Sequence, residues 1–250
     1  MSGERISLAG DADGNTARLV RVASRLAEVN LGPYALVGGL AVMCRLAAVH
    51  RATQDVDAVI ETTSPTAIDL ITSSIGDADP ANRSRVLIDG VKVDIIDTAA
   101  FRYDDLEGID IGDRLFVVGH RWALDTATRI EIVVADATAA IRVAPPLALV
   151  ATKSAALLGG RRNEPHKRAS DLYDIYRLTV EYDRVGGVAG ALLAAPFGLG
   201  NLVGEALGSL VVDQPERAAR WLFDGGAEMR SVTPDDLRDV IGPLVERLLR

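Results

Sequence analysis

Two aspartates separated by one residue, Asp55 and Asp57, lie in the segment Thr53-Gln54-Asp55-Val56-Asp57. Residues i and i+2 of a β-strand point to the same face, so in a strand these two carboxylates would lie side by side. Neighbouring carboxylates repel each other unless a cation lies between them, and they are typical ligands of a hard divalent ion such as Mg²⁺ or Mn²⁺. The pair therefore predicts a metal site.

A glycine pair upstream of the aspartates predicts phosphate binding. Gly38 and Gly39 follow the short apolar run 34–37 and precede a helical pattern. Glycine lets the backbone approach a phosphate closely, and the N–H groups at the start of a helix attract anions. Together with the acid pair, this segment predicts one site for a nucleoside triphosphate and a metal ion.

Phosphoryl and nucleotidyl transfer commonly use two metal ions, and two ions usually need a third carboxylate near the first pair. In the predicted strand 91–96, Val91, Val93 and Ile95 form an apolar face, and Asp94 points the other way. Asp97 falls on the Val93 face near the strand end, and we rank it below Asp94. The sequence therefore predicts that Asp94 completes the metal site.

A second group of charged residues lies further along the chain. Lys153 interrupts an apolar helical run, and Asp171 and Asp174 lie on one face of a predicted helix. A lysine near a metal site can neutralise triphosphate charge. Each of these residues also has an ordinary structural explanation. Lys153 could extend to solvent from a helix edge, Asp171 could be favoured by the dipole at a helix start, and the basic residues between the two helices could form a solvated loop. The basic residues between the two helices are Arg161, Arg162, Lys167 and Arg168.

Composition and charge limit the class of protein. The chain has 250 residues, 48% of them apolar, and a net charge of −8, which excludes a uniformly basic nucleic-acid-binding surface but not a local basic patch. The only cysteine, Cys44, excludes an intramolecular disulfide and fits a reducing cytoplasm. The N-terminus lacks the apolar core of a signal peptide, and the apolar stretch 186–212 contains proline, asparagine and glutamate. We expect a cytoplasmic protein with no membrane span.

The residue pattern predicts an α+β fold, a mixed β-sheet flanked by helices and followed by a helical C-terminal part. We place the boundary near residue 145, giving an α/β domain at 1–145 and a helical domain at 146–250 that completes the active-site cleft. Asp89-Gly90 predicts a hairpin turn. The predicted strands are 34–37, 54–60, 85–88, 91–96, 115–118, 130–134 and 140–143. The predicted helices lie within 15–30, at 40–49, from Ser64-Pro65 to Gly76, and at 147–158, 170–182, 188–211, 215–223 and 234–249.

The order of the first motifs resembles the polymerase-β-type nucleotidyltransferase superfamily. The resemblance implies the nucleotidyltransferase fold, with Gly38 and Gly39 at the triphosphate and Asp55 and Asp57 on the metal ions. It implies that Asp94 is the third acid and the candidate general base. Many members carry serine after the first glycine, whereas this chain has Gly39, so backbone N–H groups would have to replace a hydroxyl contact to the phosphate.

The motifs of the second half resemble the AbiEii/AbiGii toxin family of nucleotidyltransferase-like proteins. These motifs are Lys153 and the sequence Lys-Arg-x-x-Asp-Leu-Tyr-Asp-Ile at 167–175, and the whole resemblance covers residues 33–180. It implies that Lys153 contacts the triphosphate. It also implies that Asp171 and Asp174 are active-site acids or orient Lys153. Arg161 and Arg168 are implied to bind nucleotide or substrate.

The resemblance implies a Mg²⁺-dependent (or Mn²⁺-dependent) enzyme that transfers a nucleoside monophosphate from an NTP to a hydroxyl of RNA, notably tRNA. It further implies the toxin of a bacterial toxin–antitoxin or phage-defence pair, with an antitoxin encoded by a neighbouring gene. Two alternatives stay open: a nucleotidyltransferase acting on a small molecule such as an aminoglycoside, and a non-catalytic nucleotide-binding module. The third carboxylate argues against the module, because a site that only binds nucleotide does not need it.

Overall fold

The structure, a computed structural model, describes residues 4–62, 64–100, 106, 108–159 and 164–250. The chain forms two compact units. The first contains the described residues of 1–102 and 123–145, and the second those of 103–122 and 146–250. The predicted α+β class is confirmed, because the first unit carries a mixed sheet and the second is helical.

The sheet of the first unit has eight strands within the described residues, in the order β1-β7-β8-β2-β3-β6-β5-β4. The pairs β1–β7, β8–β2 and β3–β6 are parallel, and the other neighbours are antiparallel. The strands are β1 (Glu4–Ser7), β2 (Tyr34–Val37), β3 (Asp55–Ile60), β4 (Asp77–Ala78), β5 (Arg85–Ile88), β6 (Val91–Asp97), β7 (Thr128–Val134) and β8 (Ala137–Val143).

The helices fall into two groups along the chain, and short 3₁₀ segments are interspersed among them. The helices of the first half are α1 (Asn15–Glu28), α2 (Gly38–Leu46), α3 (Ala67–Thr72) and α4 (Ile111–Thr126). Those of the second half are α5 (Pro146–Leu158), α6 (Pro165–Tyr182), α7 (Gly187–Leu193), α8 (Leu199–Leu207), α9 (Pro215–Gly225) and α10 (Pro234–Leu248).

The helix predicted within residues 15–30 is confirmed as α1. Leu19, Val22 and Leu26 are buried where α1 packs against β3, β6, β7 and β8. Cys44 is buried in α2, and this burial raises the pKa of its thiol to about 12. The cysteine is therefore a small core residue rather than a reactive thiolate at neutral pH.

The junction between β2 and α2 brings the glycine pair against the acid pair. Val37 pairs with Asp57 in the antiparallel register of β2 and β3, and α2 begins at the next residue, Gly38. The φ of Gly38 is +70°, and a Cβ placed on it would lie 1.9 Å from Asp57 Oδ2. Only glycine fits here, because any side chain would suffer both backbone strain and a collision with the carboxylate.

The pairing of β3 with β6 brings the third acid beside the first two. The parallel register places Asp57 opposite Asp94. The predicted hairpin between β5 and β6 is confirmed: Asp89 and Gly90 have φ of 51° and 72°, as a two-residue type I′ turn requires. This tight turn fixes the register of the hairpin and places Arg85 opposite Asp94.

The strand predicted at 115–118 is wrong, because these residues lie within α4. Leu115, Val118 and Trp122 are buried at the spacing i, i+3 and i+7, which is that of one helical face. A four-residue apolar run taken by itself does not distinguish a strand from a turn of buried helix.

The single helix predicted at 188–211 is also wrong, because Pro196 and its neighbours divide it. Phe197 and Gly198 adopt positive φ, so α7 ends before them and α8 begins after them, followed by a π-helical turn at Gly208–Val212. None of the described helices is by itself both long and apolar enough to cross a membrane. The sharply bent pair Gly187–Leu193 and Pro196–Val212 meets that length and composition only when its halves are combined.

Two predicted helix boundaries shift. The helix expected from Ser64-Pro65 to Gly76 is α3, which starts after Thr66 and ends at Thr72. Thr66 and Asp69 form a reciprocal capping box, which fixes the helix start two residues later than predicted. The helix expected from Ser170 begins earlier, with Pro165 in its first turn.

The contact of Gly38 with Asp57 predicts a large loss of stability for Gly38→Ala. Gly90→Ala is the matched control, because Gly90 has nearly the same φ but the nearest atom to its Cβ position is 3.8 Å away. We expect Gly90→Ala to lower the free energy of unfolding by about 1 kcal/mol, from backbone strain alone. We expect Gly38→Ala to lower it by about 3 kcal/mol or more, because the carboxylate must also move.

Urea unfolding followed by far-UV circular dichroism measures both variants. Equal losses for Gly38→Ala and Gly90→Ala would mean that Asp57 yields without cost and that the close contact does not constrain residue 38.

Candidate active site

Three aspartates from two adjacent strands converge in the first unit. One carboxylate oxygen each from Asp55, Asp57 and Asp94 lies within 4.8 Å of the others, and all three residues are half-buried. Carboxylate oxygens at this separation suit a hard divalent ion, and partial exposure leaves room for water and phosphate oxygens to complete its coordination. The donor set therefore fits the Mg²⁺ or Mn²⁺ predicted from the sequence.

The third carboxylate is bound by an arginine, Arg85, that was not among the predicted site residues. Arg85 donates from Nε to Asp94 Oδ1 at 2.6 Å and from Nη2 to Asp94 Oδ2 at 3.0 Å. This fork raises the pKa of Arg85, with burial acting in the opposite direction, and Asp79 and Asp55 raise it further. This pair could have been predicted from the hairpin, because a two-residue turn at Asp89-Gly90 makes Arg85 the cross-strand partner of Asp94.

Two side chains fill the space above the second glycine. A Cβ on Gly39 would lie 2.7 Å from Thr53 Oγ1 and 2.8 Å from Arg51 Nη2. Thr53 Oγ1 in turn donates to Asp55 Oδ1 at 3.2 Å, and Arg51 Nη1 donates to the Ala52 carbonyl oxygen at 2.8 Å. A serine at position 39 would fit only if Thr53 and Arg51 moved. A hydroxyl and a guanidinium therefore already lie at the glycine turn.

An open cavity of about 390 Å³ lies beside the start of β3 in the first unit. The side chain of Asn15, at the start of α1, donates to the Thr53 carbonyl oxygen and links one wall of this cavity to the next. Because Thr53 also contacts Asp55, the cavity adjoins the carboxylate group. Its lining residues are Asn15, Arg18, Ala52, Thr53, Gln54, Gly90 and Val91.

The second unit holds the other predicted charged group as a buried cluster. Lys153 Nζ, from α5, lies 2.8 Å from Asp171 Oδ1 and 2.9 Å from Asp174 Oδ2, both from α6. The side chains of Lys153, Asp171 and Asp174 are 9%, 4% and 0% exposed. The structure thus brings these three residues together, as it does the glycines and aspartates of the first unit. Buried charges of this kind require their partners, because an unpaired charge is costly away from water.

The predicted basic residues are placed differently. Arg161 lies outside the described residues. The guanidinium of Arg168 lies 4.8 Å from the ring centre of Trp221, and that of Arg217 lies 5.1 Å from the same ring. Trp221 thus packs against two arginines. The prediction that Arg168 binds nucleotide or substrate stays a prediction.

Comparison with known proteins identified a protein family and a similar solved structure. A search of curated proteins found no significant match. Among solved structures, the chain is similar to an antigenic nucleotidyltransferase-like protein from Paracoccidioides brasiliensis. The sequence identity is 19% and the TM-score 0.47, and the match covers 82% of this chain and 91% of the other.

The family match extends over most of the chain. The model described as "Nucleotidyl transferase AbiEii toxin, Type IV TA system" matches residues 23–194. This segment contains the glycine turn, the three aspartates and the lysine–aspartate cluster of the second unit. The match agrees with the resemblance that the motifs indicated. The chain belongs to the AbiEii nucleotidyl transferase toxin family.

Proposed function

We propose that this nucleotidyltransferase uses Mg²⁺ or Mn²⁺ to transfer a nucleoside monophosphate from an NTP to a hydroxyl of RNA, with tRNA as the first acceptor to test. It acts in the cytoplasm as a toxin that an antitoxin from a neighbouring gene counteracts. The observation that carries the metal-dependent chemistry is the convergence of Asp55, Asp57 and Asp94 within 4.8 Å beside the glycine turn.

Each group of the first unit has a role in this proposal. Asp55, Asp57 and Asp94 hold the divalent ion, which when bound neutralises phosphate charge and polarises the reacting phosphoryl group. Gly38 and Gly39 begin α2, so their backbone N–H groups are available to the triphosphate.

The transfer requires only the NTP and the acceptor hydroxyl as reactants. The acceptor hydroxyl oxygen forms a bond to the α-phosphorus, and the bond between that phosphorus and the bridging oxygen to the β-phosphorus breaks. Pyrophosphate leaves with the electron pair, and the hydroxyl proton passes to Asp94. Each Asp94 oxygen accepts one hydrogen bond from Arg85 and retains a second lone pair, so one oxygen can hold the ion and the other can accept the proton.

Three observations support RNA and an antitoxin as partners. The family description names a toxin of a Type IV toxin–antitoxin system, which implies an antitoxin. The segment 161–168 is rich in arginine and lysine despite the acidic net charge of the chain. In the second unit, Arg168 and Arg217 lie against Trp221, a combination of cation and aromatic ring that also suits nucleic acid.

A labelling assay tests the proposal. Purified protein is incubated with each α-³²P-labelled NTP, Mg²⁺ or Mn²⁺, and total tRNA, and the label is followed into RNA and small-molecule fractions. We expect label on RNA, dependent on the ion, and a loss of at least about a hundredfold in the double variant Asp55→Asn/Asp57→Asn, which removes two metal ligands.

Asp77→Asn is the matched control, since it removes an exposed carboxylate from β4 of the same sheet. Transfer by the double variant at the wild-type rate would refute the metal role of the pair. Label confined to small molecules would refute the RNA acceptor, and nucleotide binding without release of pyrophosphate would refute catalysis by this chain.

The buried lysine makes a separate prediction about stability. Lys153→Met removes the buried cation that Asp171 and Asp174 share, so we expect the free energy of unfolding to fall by about 3–5 kcal/mol. The triple variant Lys153→Met/Asp171→Asn/Asp174→Asn removes the carboxylate charges as well and is expected to recover most of that loss. Urea unfolding measures both variants.

The control Lys167→Met breaks an exposed pair with Glu164 and is expected to change stability by less than about 0.5 kcal/mol. If Lys153→Met unfolds like the wild type but no longer transfers nucleotide, the lysine acts on the triphosphate and not in maintaining the helix pair.

A further inference from the structure

We infer that Arg85 is a built-in counter-cation of the metal site, which positions Asp94 and competes with the divalent ion for that carboxylate. Arg85 therefore sets how tightly the site binds the ion. This inference rests on the proposed metal-dependent function and adds to it a positioning residue that the family motifs do not include.

The geometry of the pair supports the positioning role. Both oxygens of Asp94 are bound by the planar guanidinium, at 2.6 and 3.0 Å, which fixes the plane of the carboxylate as well as its place. Asp94 stands opposite Asp57 on the parallel neighbour strand and opposite Arg85 on the antiparallel one. The carboxylate therefore lies between its counter-cation and the other metal ligands.

The competition follows from charge. A divalent ion held by Asp55, Asp57 and Asp94 binds a carboxylate that Arg85 already neutralises, so the ion and the guanidinium repel each other across it. The side chains of Arg85 and Asp94 are only 18% and 21% exposed, so salt screens this repulsion less than it would at the open surface. Removal of the guanidinium charge should therefore tighten ion binding.

A second acid allows Arg85 to keep a partner when the ion is present. Asp79 Oδ2 lies 3.8 Å from Arg85 Nη1, and Asp79 is itself fixed because its Oδ1 accepts the Ala81 N–H at 2.9 Å. When the ion binds Asp94, the guanidinium of Arg85 keeps its contact with Asp79. Arg85 therefore stays in the site in both states and is not expelled by the ion.

Direct titration of the metal tests this inference without measuring turnover. Mn²⁺ is added to the full-length protein without nucleotide, and free Mn²⁺ is followed by electron paramagnetic resonance. We expect Arg85→Gln to bind Mn²⁺ about tenfold more tightly than the wild type. We expect Arg85→Lys, which keeps the charge but loses the fork, to remain within about threefold of the wild type. The matched control is Arg83→Gln, an exposed arginine of the same segment, which should leave the affinity unchanged.

A second variant covers the case in which Arg85→Gln fails to fold, which circular dichroism would reveal. Asp79→Asn leaves the guanidinium to Asp94 alone and should weaken Mn²⁺ binding about threefold. The control Asp77→Asn, an exposed acid on the neighbouring strand, should not change it.

The outcomes separate the inference from the proposed function. If the wild type binds Mn²⁺ but Arg85→Gln binds it equally or more weakly, or if Asp79→Asn behaves like Asp77→Asn, the role of Arg85 is overturned and the metal site stands. If neither the wild type nor Arg85→Gln binds Mn²⁺, the metal-dependent function falls and this inference falls with it.

Discussion

Mutual repulsion among Asp55, Asp57 and Asp94 is the constraint that the first unit has to satisfy. The parallel pairing of β3 with β6 brings these carboxylates within 4.8 Å of one another, where their negative charges repel. Neighbouring side chains offset this repulsion: the Thr53 hydroxyl donates a hydrogen bond to Asp55, and the Arg85 guanidinium donates two to Asp94. The three acids are thus positioned for a cation, and regular strand pairing continues on both sides of β3 and β6.

The second unit solves a related problem by burial. Lys153 is shared by two carboxylates that are almost fully inaccessible, whereas Arg85 and Asp94 retain partial access to water. The two groups differ in exposure. A half-buried cation such as Arg85 can share its acid with an incoming ion, whereas the more deeply buried Lys153 is required by the two carboxylates packed around it. Substitutions of Lys153 therefore act on the helix pair α5–α6 as well as on any ligand.

Local patterns in the sequence predicted most of this arrangement. The acid pair, the glycine turn and the alternation around Asp94 follow from strand and helix periodicity, and the Asp89-Gly90 turn fixes a register from which the Arg85–Asp94 pair follows directly. What depended on distant packing could not be predicted. The contact of Gly38 with Asp57, for example, requires the register of β2 on β3. The break after Leu193 did have a local signal, Pro196, which the prediction of one helix over 188–211 did not use. The run at 115–118 failed because four apolar residues fit a strand and a helix equally well.

The short hairpin that carries Asp94 has a consequence for the order in which the site assembles. Arg85 and Asp94 are nine residues apart, and closing a loop of that length costs little chain entropy and takes well under a millisecond. Asp57 meets Asp94 only when β3 pairs with β6 across a much longer stretch of chain, a contact that high sequence separation makes slow. The counter-cation can therefore be in place before the acids meet, so the folding chain need not bring bare like charges together.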